Sequence, residues 1–501
     1  MASDQHEIDR VIAEQTPWLT SGKVSAALAK PRERPLATSL WRRLLPSPDR
    51  PRRFRLILGP RRVGKTTVMY QTVRHLLDDA GLPPERLVWA RLDHPRLMPL
   101  SLDDLVRRRV ELAGATPEKP VFLFLDELTY AERWDAWLKT FYDDGWPVQI
   151  LGTSSSVAAL RHGRTESGVG RWTETYLPPL SFGEYLDVAG IDVPAVPVED
   201  DLRTSVEAWI DGDGPKAAGD GKLGDRLAAH RRRYLLVGGF PELLTAGGRR
   251  EADLFGEHAD EHAELLESQR TLRSDAIERA VYKDIPQVFN ITEPMKLERL
   301  LYSAAGQMAG LFSAESLAKE VGLSGPTVER HVAYLTQSYM IFLLTTWAGS
   351  EAKVQRRGRK LYFADGAVRN AALQRGLTPL DDPAEMGLLL ENAVAAHLHA
   401  LAQNEGSRLH HWRERKREVD FVYAHPDRPV AFEVTAAEAH SLDSVRYLQQ
   451  GQPKLADAAY LVAPGLRPTR PAANHDGVGR LPLDWLLLLA SGQAAAALAR
   501  A

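Results

Sequence analysis

No stretch of this chain leaves less freedom to the fold than residues 54 to 77, FRLILGPRRVGKTTVMYQTVRHLL. The apolar run Phe54 to Leu58 suits a buried strand, and Val68, Val73 and Leu77 suit one face of a helix. Between them Gly59, Pro60, Arg61, Arg62, Val63, Gly64, Lys65 and Thr66 have the spacing of a phosphate-binding loop, and Thr67 continues into the helix. The two glycines let the backbone wrap until several N–H groups face one anion, and the helix that starts there adds its positive end. Lys65 is placed to reach the outer phosphates of ATP, and the Thr66 hydroxyl to ligate Mg2+. A strand before the loop and a helix after it are the context that separates such a loop from a chance Gly-rich turn.

A phosphate loop alone also serves kinases, so the signs of hydrolysis must come from elsewhere. PVFLFLDEL, residues 120 to 128, reads as a buried strand ending in two carboxylates. Strands of a parallel sheet deliver such ends to the crevice where a nucleotide sits. Asp126 is the candidate to hold the metal or its water, and Glu127 the candidate to orient and activate the attacking water. VQILGTSSS, 148 to 156, ends in hydroxyls, so Thr153 or Ser154 is placed to bond the γ-phosphate or that water. With RLVWARLD at 86 to 93 and TETYLPPL at 173 to 180, strands alternate with helices, which predicts a doubly wound parallel α/β sheet.

Further along come GVGRWTETYLPPLSFGEYL (168 to 186), YLLVGGFPELL (234 to 244), YKDIPQVFNI (282 to 291) and RKLYFADGAV (359 to 368). With the loop, LDEL and GTSSS, their order resembles that of the prokaryotic AAA-type ATPases that carry a C-terminal domain of unknown function with a restriction-endonuclease-like core. The resemblance spans nearly the whole chain. Taken with the patterns described next, it divides the chain into a P-loop AAA-type core over 1–190, an acidic insertion and helical lid over 191–294, a winged helix over 295–370, and a restriction-endonuclease-like α/β domain with a tail over 371–501. It also implies ATP hydrolysis with Mg2+, a charge-stabilising role for Arg171, and a lid motif at Gly238, Gly239 and Pro241 that packs near nucleotide. DNA and protein are both candidate partners, and a homo-oligomer is the arrangement in which Arg171 would serve a neighbour.

Residues 193 to 225 are acidic and rich in Gly and Pro, which predicts a mobile insertion or hinge. Residues 312 to 347 carry a helix, a Val-Gly-Leu turn, a capping Ser324, Pro326, and apolar Val328, Val332, Leu335 and Tyr339, the pattern of a helix-turn-helix. On a DNA-binding reading Thr327, Arg330 and His331 face a groove, Arg356, Arg357, Arg359 and Lys360 touch phosphates, and Glu329 opposes the contact. In the last domain Glu391 on a helix, Asp420 on a strand and Glu433 on the next follow the order of a nuclease metal site. The lysine that should stand two residues after Glu433 is Thr435, which carries no charge and is a poor proton acceptor. A nuclease fold without cleavage is therefore expected unless a basic residue such as Lys416 or Lys454 migrates in. His410 and His411 read as an exposed strand start.

Composition sets the outer limits. At 501 residues the chain is too long for one core. Its 63 basic and 66 acidic residues leave a net charge of -3, yet Lys30 to Arg62 holds eleven Lys or Arg against only Glu33 and Asp49. That run predicts a local basic surface, either solvated or touching phosphates. Cysteine is absent, which removes disulfides and thiol catalysis and suits a cytoplasmic location. The charged N-terminus lacks a signal-peptide core, and the most apolar stretch, 481 to 501, is broken by Asp484 and Gln493, so no membrane span is expected.

Overall fold

The computed structural model describes residues 2–155, 168–245, 259–348, 358–437, 440–471 and 477–500. The chain divides into two compact units, Met1–Leu177 with Leu498–Ala501, and Pro178–Ala497. In the first, strands β1 (Phe54–Leu58), β2 (Leu87–Arg91), β3 (Val121–Asp126), β4 (Val148–Ser154) and β5 (Trp172–Tyr176) form one parallel sheet in the order β2-β3-β4-β1-β5. β3 and β4 are buried at every position, which is why both read as unbroken apolar runs. Helices Lys65–Asp78, Leu102–Ala113 and Trp134–Asp143 make the crossovers that parallel strands require. Register then fixes function's address: Leu58 lies beside Ser154, and Leu125 beside Gly152, so the carboxyl ends of β1, β3 and β4 open on one edge. An aromatic stack locks β2 into this layer, with Tyr70 and Trp89 ring centroids 4.1 Å apart and the Trp18 indole N–H donating to Leu87 O at 2.8 Å.

The second unit holds two further sheets. β6 (Leu311–Phe312), β7 (Ile341–Leu344) and β8 (Arg359–Phe363) pair antiparallel in the order β6-β8-β7, next to a pair of helices, Ala314–Val321 and Gly325–Gln337. The turn between those helices rests on Gly322 at φ 68 and on Ser324, which caps the second helix through the Thr327 N–H. β9 (Arg408–Glu414), β10 (Arg417–Ala424), β11 (Val430–Val434), β12 (Ala459–Ala463) and β13 (Gly479–Pro482) form the other sheet, in the order β13-β12-β11-β10-β9. The helix Pro383–Glu405 packs on both sheets.

Two expectations fail here for a shared reason. Residues 193–225 are no loose insertion: helix Leu202–Asp211 buries Leu202, Val206 and Trp209, and Trp209 lies 5.0 Å from Trp485. The Gln493 amide donates to Glu199 O at 2.9 Å, and Asp484 is paired with Arg231. Of the polar residues that interrupt the apolar C-terminal stretch, Gln493 thus fastens this segment and Asp484 the helix Gly221–Val237, partnerships that composition cannot show. Among the described residues no helix is long and apolar enough to cross a membrane. His410 and His411 are likewise not an exposed strand start. Both are buried, bonded to Thr345 Oγ1 at 2.8 Å and Thr346 Oγ1 at 3.1 Å, where the end of β7 meets β9.

Candidate functional site

At the open edge of the parallel sheet the loop after β1 turns tightly into helix Lys65–Asp78. A side chain at Gly59 would place its Cβ 2.1 Å from Leu177 O, and Gly64 sits at φ 92, so each glycine is required by its surroundings. The loop is braced from below by the start of the basic run. The Arg34 guanidinium donates to Val63 O at 2.8 Å, and Gln71 holds the 29–32 segment through Ala29 O and Arg32 O. Lys65 Nζ donates to Gly59 O at 2.9 Å and Pro60 O at 2.8 Å. The first-turn N–H groups of a helix point along its axis, here toward the loop.

Facing the loop, Asp126 ends β3 as a buried carboxylate. It accepts from Thr66 Oγ1 at 3.1 Å and from Thr153 Oγ1 at 2.5 Å. Burial pushes its pKa up, and neighbouring Glu127 adds to the shift, while the hydroxyls and Lys65 oppose it. Glu127 adopts φ 54, which turns the chain sharply out of the strand, and its N–H donates to Thr153 Oγ1 at 3.0 Å. Its carboxylate accepts from Ser155 Oγ at 2.8 Å and stands 3.9 Å from the Arg61 guanidinium. Thr153 therefore binds the two acids together. The roles of Ser155 and Arg61 toward Glu127 lay beyond the sequence reading, though Ser155 belongs to the hydroxyl run that flagged Thr153.

Arg171 is not brought to this cluster. It precedes β5 at the opposite edge of the sheet, where its backbone O accepts from Phe54 N at 3.0 Å and its guanidinium grips Asp143 Oδ1 and Oδ2 at 2.8 and 2.9 Å. In the second unit Gly238 and Gly239 form a turn on Asp365, which accepts from Gly239 N at 2.7 Å, and Pro241 opens the short helix after it. A Cβ at Gly238 would meet that carboxylate at 2.6 Å. Burial lifts the Asp365 pKa to about 6 against the backbone N–H bonds from Gly239 and Ala367.

The acids of the last sheet do converge. Phe421 pairs with Phe432 across the antiparallel β10–β11 pair, which sets Asp420 beside Glu433, and Asp420 N donates to Glu433 Oε2 at 3.3 Å. The basic residue among them is neither Lys416, which is exposed, nor Lys454, which donates to Pro426 O. It is Lys360 of β8, buried, with Nζ 3.2 Å from Glu391, 3.2 Å from Asp420 and 2.5 Å from Glu418. Burial works against its charge, but Asp420, Glu391 and Glu418 outweigh that and hold the ammonium above its usual range. Burial, reinforced by Asp420, lifts Glu391 and Glu433 to about 7. His440 reaches Glu433 at 2.8 Å and Tyr362 donates to Glu391 at 2.6 Å. Thr435 takes no part, its hydroxyl accepting from Ala437 N at 3.0 Å.

Lys360 is thus withdrawn from the phosphate-contacting role expected of it. His331 is withdrawn from the groove too, because it is buried under Tyr334 at 5.9 Å. Arg359 is paired with Glu329 at 2.6 Å, while Arg330 is exposed and Thr327 bonds Ser324. Arg356 and Arg357 lie outside the described residues.

With this geometry in hand, comparison with known proteins is informative. Residues 51–186 match a family described as an AAA domain. Residues 228–379 and 386–483 match two families described as domains of unknown function, DUF8612 and DUF4143. The uncharacterized protein MJ1637 of Methanocaldococcus jannaschii is 26% identical over 375 residues, covering 74% of this chain and 72% of that one. MJ1544 of the same organism is 23% identical over 378 residues, with the same coverage of 74% and 72%. Among solved structures, the ORC2 protein of Aeropyrum pernix aligns over 72% of this chain and 99% of its own at 14% identity and a TM-score of 0.33. Over 51–186 the chain is thus similar to AAA domains, in the region that holds the parallel sheet and its loop, and the DUF4143 match coincides with the separate C-terminal sheet.

Proposed function

We propose that the first unit binds ATP with Mg2+ and hydrolyses it. The observation that carries this reading is the convergence of Lys65, Thr66, Asp126, Glu127 and Thr153 from three separated segments onto one edge of the sheet. The loop N–H groups and Lys65 bind the β- and γ-phosphates, with the Lys65 ammonium exchanging loop carbonyls for phosphate oxygens. Thr66 and Asp126 suit Mg2+: a hydroxyl and a desolvated carboxylate, both hard oxygen donors, already sit within hydrogen-bond distance. When bound, the ion neutralises charge that develops on the phosphate oxygens. Glu127 takes a proton from the attacking water as its oxygen bonds to the γ-phosphorus and ADP departs. Ser155 and Arg61 hold that carboxylate in place, and Thr153 fixes the backbone from which it projects.

Phosphate release from ATP, measured with and without Mg2+, tests the assignment. Turnover unchanged in Glu127→Gln would remove Glu127 from the role. A part for Arg171 is confined to a neighbouring copy's site, since its own loop lies one strand length away. Mixing Arg171→Ala with Lys65→Ala protein restores turnover if that holds, and leaves it absent if it does not.

We further read the C-terminal acidic cluster as a nuclease-like core into which a basic residue, Lys360, has migrated, but which does not cut because that ammonium is tied in ion pairs to Glu391, Glu418 and Asp420, and the paired helices with β6–β8 as a winged-helix module whose partner is DNA or protein. Stimulation of ATP turnover by DNA, fading as salt rises, selects DNA.

A further inference from the structure

The basic run from Lys30 to Arg62 does more than brace the nucleotide loop. Arg43, Arg50, Arg52, Arg53 and Arg55 all line one cavity of about 280 Å³ at the amino ends of β1 and β4. Its remaining walls are stiff and largely apolar, with Pro51, Pro117, Pro120, Pro147 and Trp146, and among the described residues no Asp or Glu lines it. The cavity lies one five-residue strand, roughly 17 Å, from the phosphate loop and so is a separate place on the sheet.

Arg43, Arg50 and Arg52 donate to backbone carbonyls. Arg52 donates to Val148 O at 2.6 Å and lies 5.3 Å over the Phe54 ring, while its Nε is buried without an acceptor. Arg43 donates to Ala499 O at 2.8 Å, and Arg50 to Arg42 O at 2.9 Å. Carbonyls orient a guanidinium without cancelling its charge, so these three arginines keep theirs. The groups feel one another: the Arg55 pKa falls to about 10, chiefly by burial and then by Arg43, Arg50 and Arg53. Like charges gathered this closely are unfavourable in the free protein, and a polyanion relieves them.

We propose that this cavity binds the phosphodiester backbone of a nucleic acid. Guanidinium forks match phosphate oxygens in pairs. Half-buried Arg43, Arg52 and Arg55 suit a phosphate seated in the cavity, and exposed Arg50 and Arg53 extend the charge outward to its neighbours along a chain. A free polyphosphate shares the local chemistry but not the length, and the experiment separates the two.

The test uses the full chain and its double variant Arg50→Gln/Arg53→Gln, both changes being on exposed side chains. Fluorescence anisotropy follows a labelled 20-base-pair duplex across a KCl series, and calorimetry follows inorganic tripolyphosphate. The expected result is a loss of at least about 10-fold in duplex affinity. With it the slope of log affinity against log salt becomes shallower by about 2, one for each phosphate contact removed. ATP turnover without DNA stays as in the unmodified chain. An unchanged slope in the double variant, or no duplex binding by the unmodified chain, overturns the proposal. Tight tripolyphosphate binding without duplex binding also overturns it, in favour of a small phosphorylated ligand.

Discussion

Two buried carboxylate clusters, one in each unit, show how the same side chains take opposite parts. At the end of β3, Asp126 is held by two hydroxyls, and the nearest lysine, Lys65, is turned to loop carbonyls. Between helix Pro383–Glu405 and strands β10 and β11, Asp420 and Glu391 share the ammonium of Lys360. On the proposed reading the first cluster therefore keeps the Asp126 charge for Mg2+. The second has its cation already, supplied by the chain. The hydroxyls on Asp126 leave that carboxylate competent to bind on the proposed reading, whereas the Lys360 ion pairs close the second cluster, because a metal must first displace a charge that three carboxylates hold.

The largest effect that can break this contrast is catalytic. Glu127→Gln should lower ATP turnover by at least about 100-fold while leaving binding of a fluorescent ATP analogue intact, since a lost base raises the barrier more than it weakens the ground state. Lys65→Ala should abolish that binding. Comparable turnover in all three proteins would mean that the first cluster is as closed as the second.

Next in size is Lys360→Met. Removing the ammonium leaves buried acids facing each other and should cost about 3–5 kcal/mol in urea unfolding. Added Mn2+ should recover part of that loss in the variant and shift the unmodified chain little. Strong stabilisation of the unmodified chain by Mn2+ would show that Lys360 does not close the cluster.

A smaller effect concerns pH. His399 stacks on Phe342 with ring centroids 4.0 Å apart, and burial drops its pKa to about 4. The unfolded chain protonates this histidine near pH 6.5 and the folded one does not, so stability falls as pH drops from about 6.5 toward 4. His399→Phe keeps the stack and should reduce the stability lost between pH 7 and 5 by roughly 1–2 kcal/mol. Equal acid sensitivity in the two proteins would contradict the assignment.

The smallest expected change is Thr435→Lys. With Lys360 seated among the acids, this added lysine should create no Mg2+- or Mn2+-dependent cleavage of DNA, and stability should move by no more than about 1 kcal/mol. Cleavage by the single variant, removed by Asp420→Ala, would mean that the second cluster admits metal after all.

What could be read in the sequence was whatever neighbours along the chain decide. The loop from Gly59 to Thr67 and the strand ending in Asp126 and Glu127 were legible because their function depends on spacing within a few residues of strand, turn and helix. The turn at Gly322 and Ser324 was legible for the same reason, as a capping residue acts on N–H groups two or three positions away.

Tertiary structure decided which partner each charged or polar group would find. Lys360 reads as one more cation of a basic loop, but strands β8 and β10 and a distant helix enclose it with acids 31 to 60 positions away. Gln493 and Asp484 read as breaks in an apolar stretch and become its fastenings to residues more than 250 positions earlier. The five arginines around one cavity read as part of a longer basic run, of which Arg34 went instead to the nucleotide loop. Sequence determines which groups carry charge and which local shapes the backbone can hold. Whether a charge meets water, an acid or an empty cavity depends on surfaces brought together by burial of the apolar faces, and no local pattern encodes that meeting.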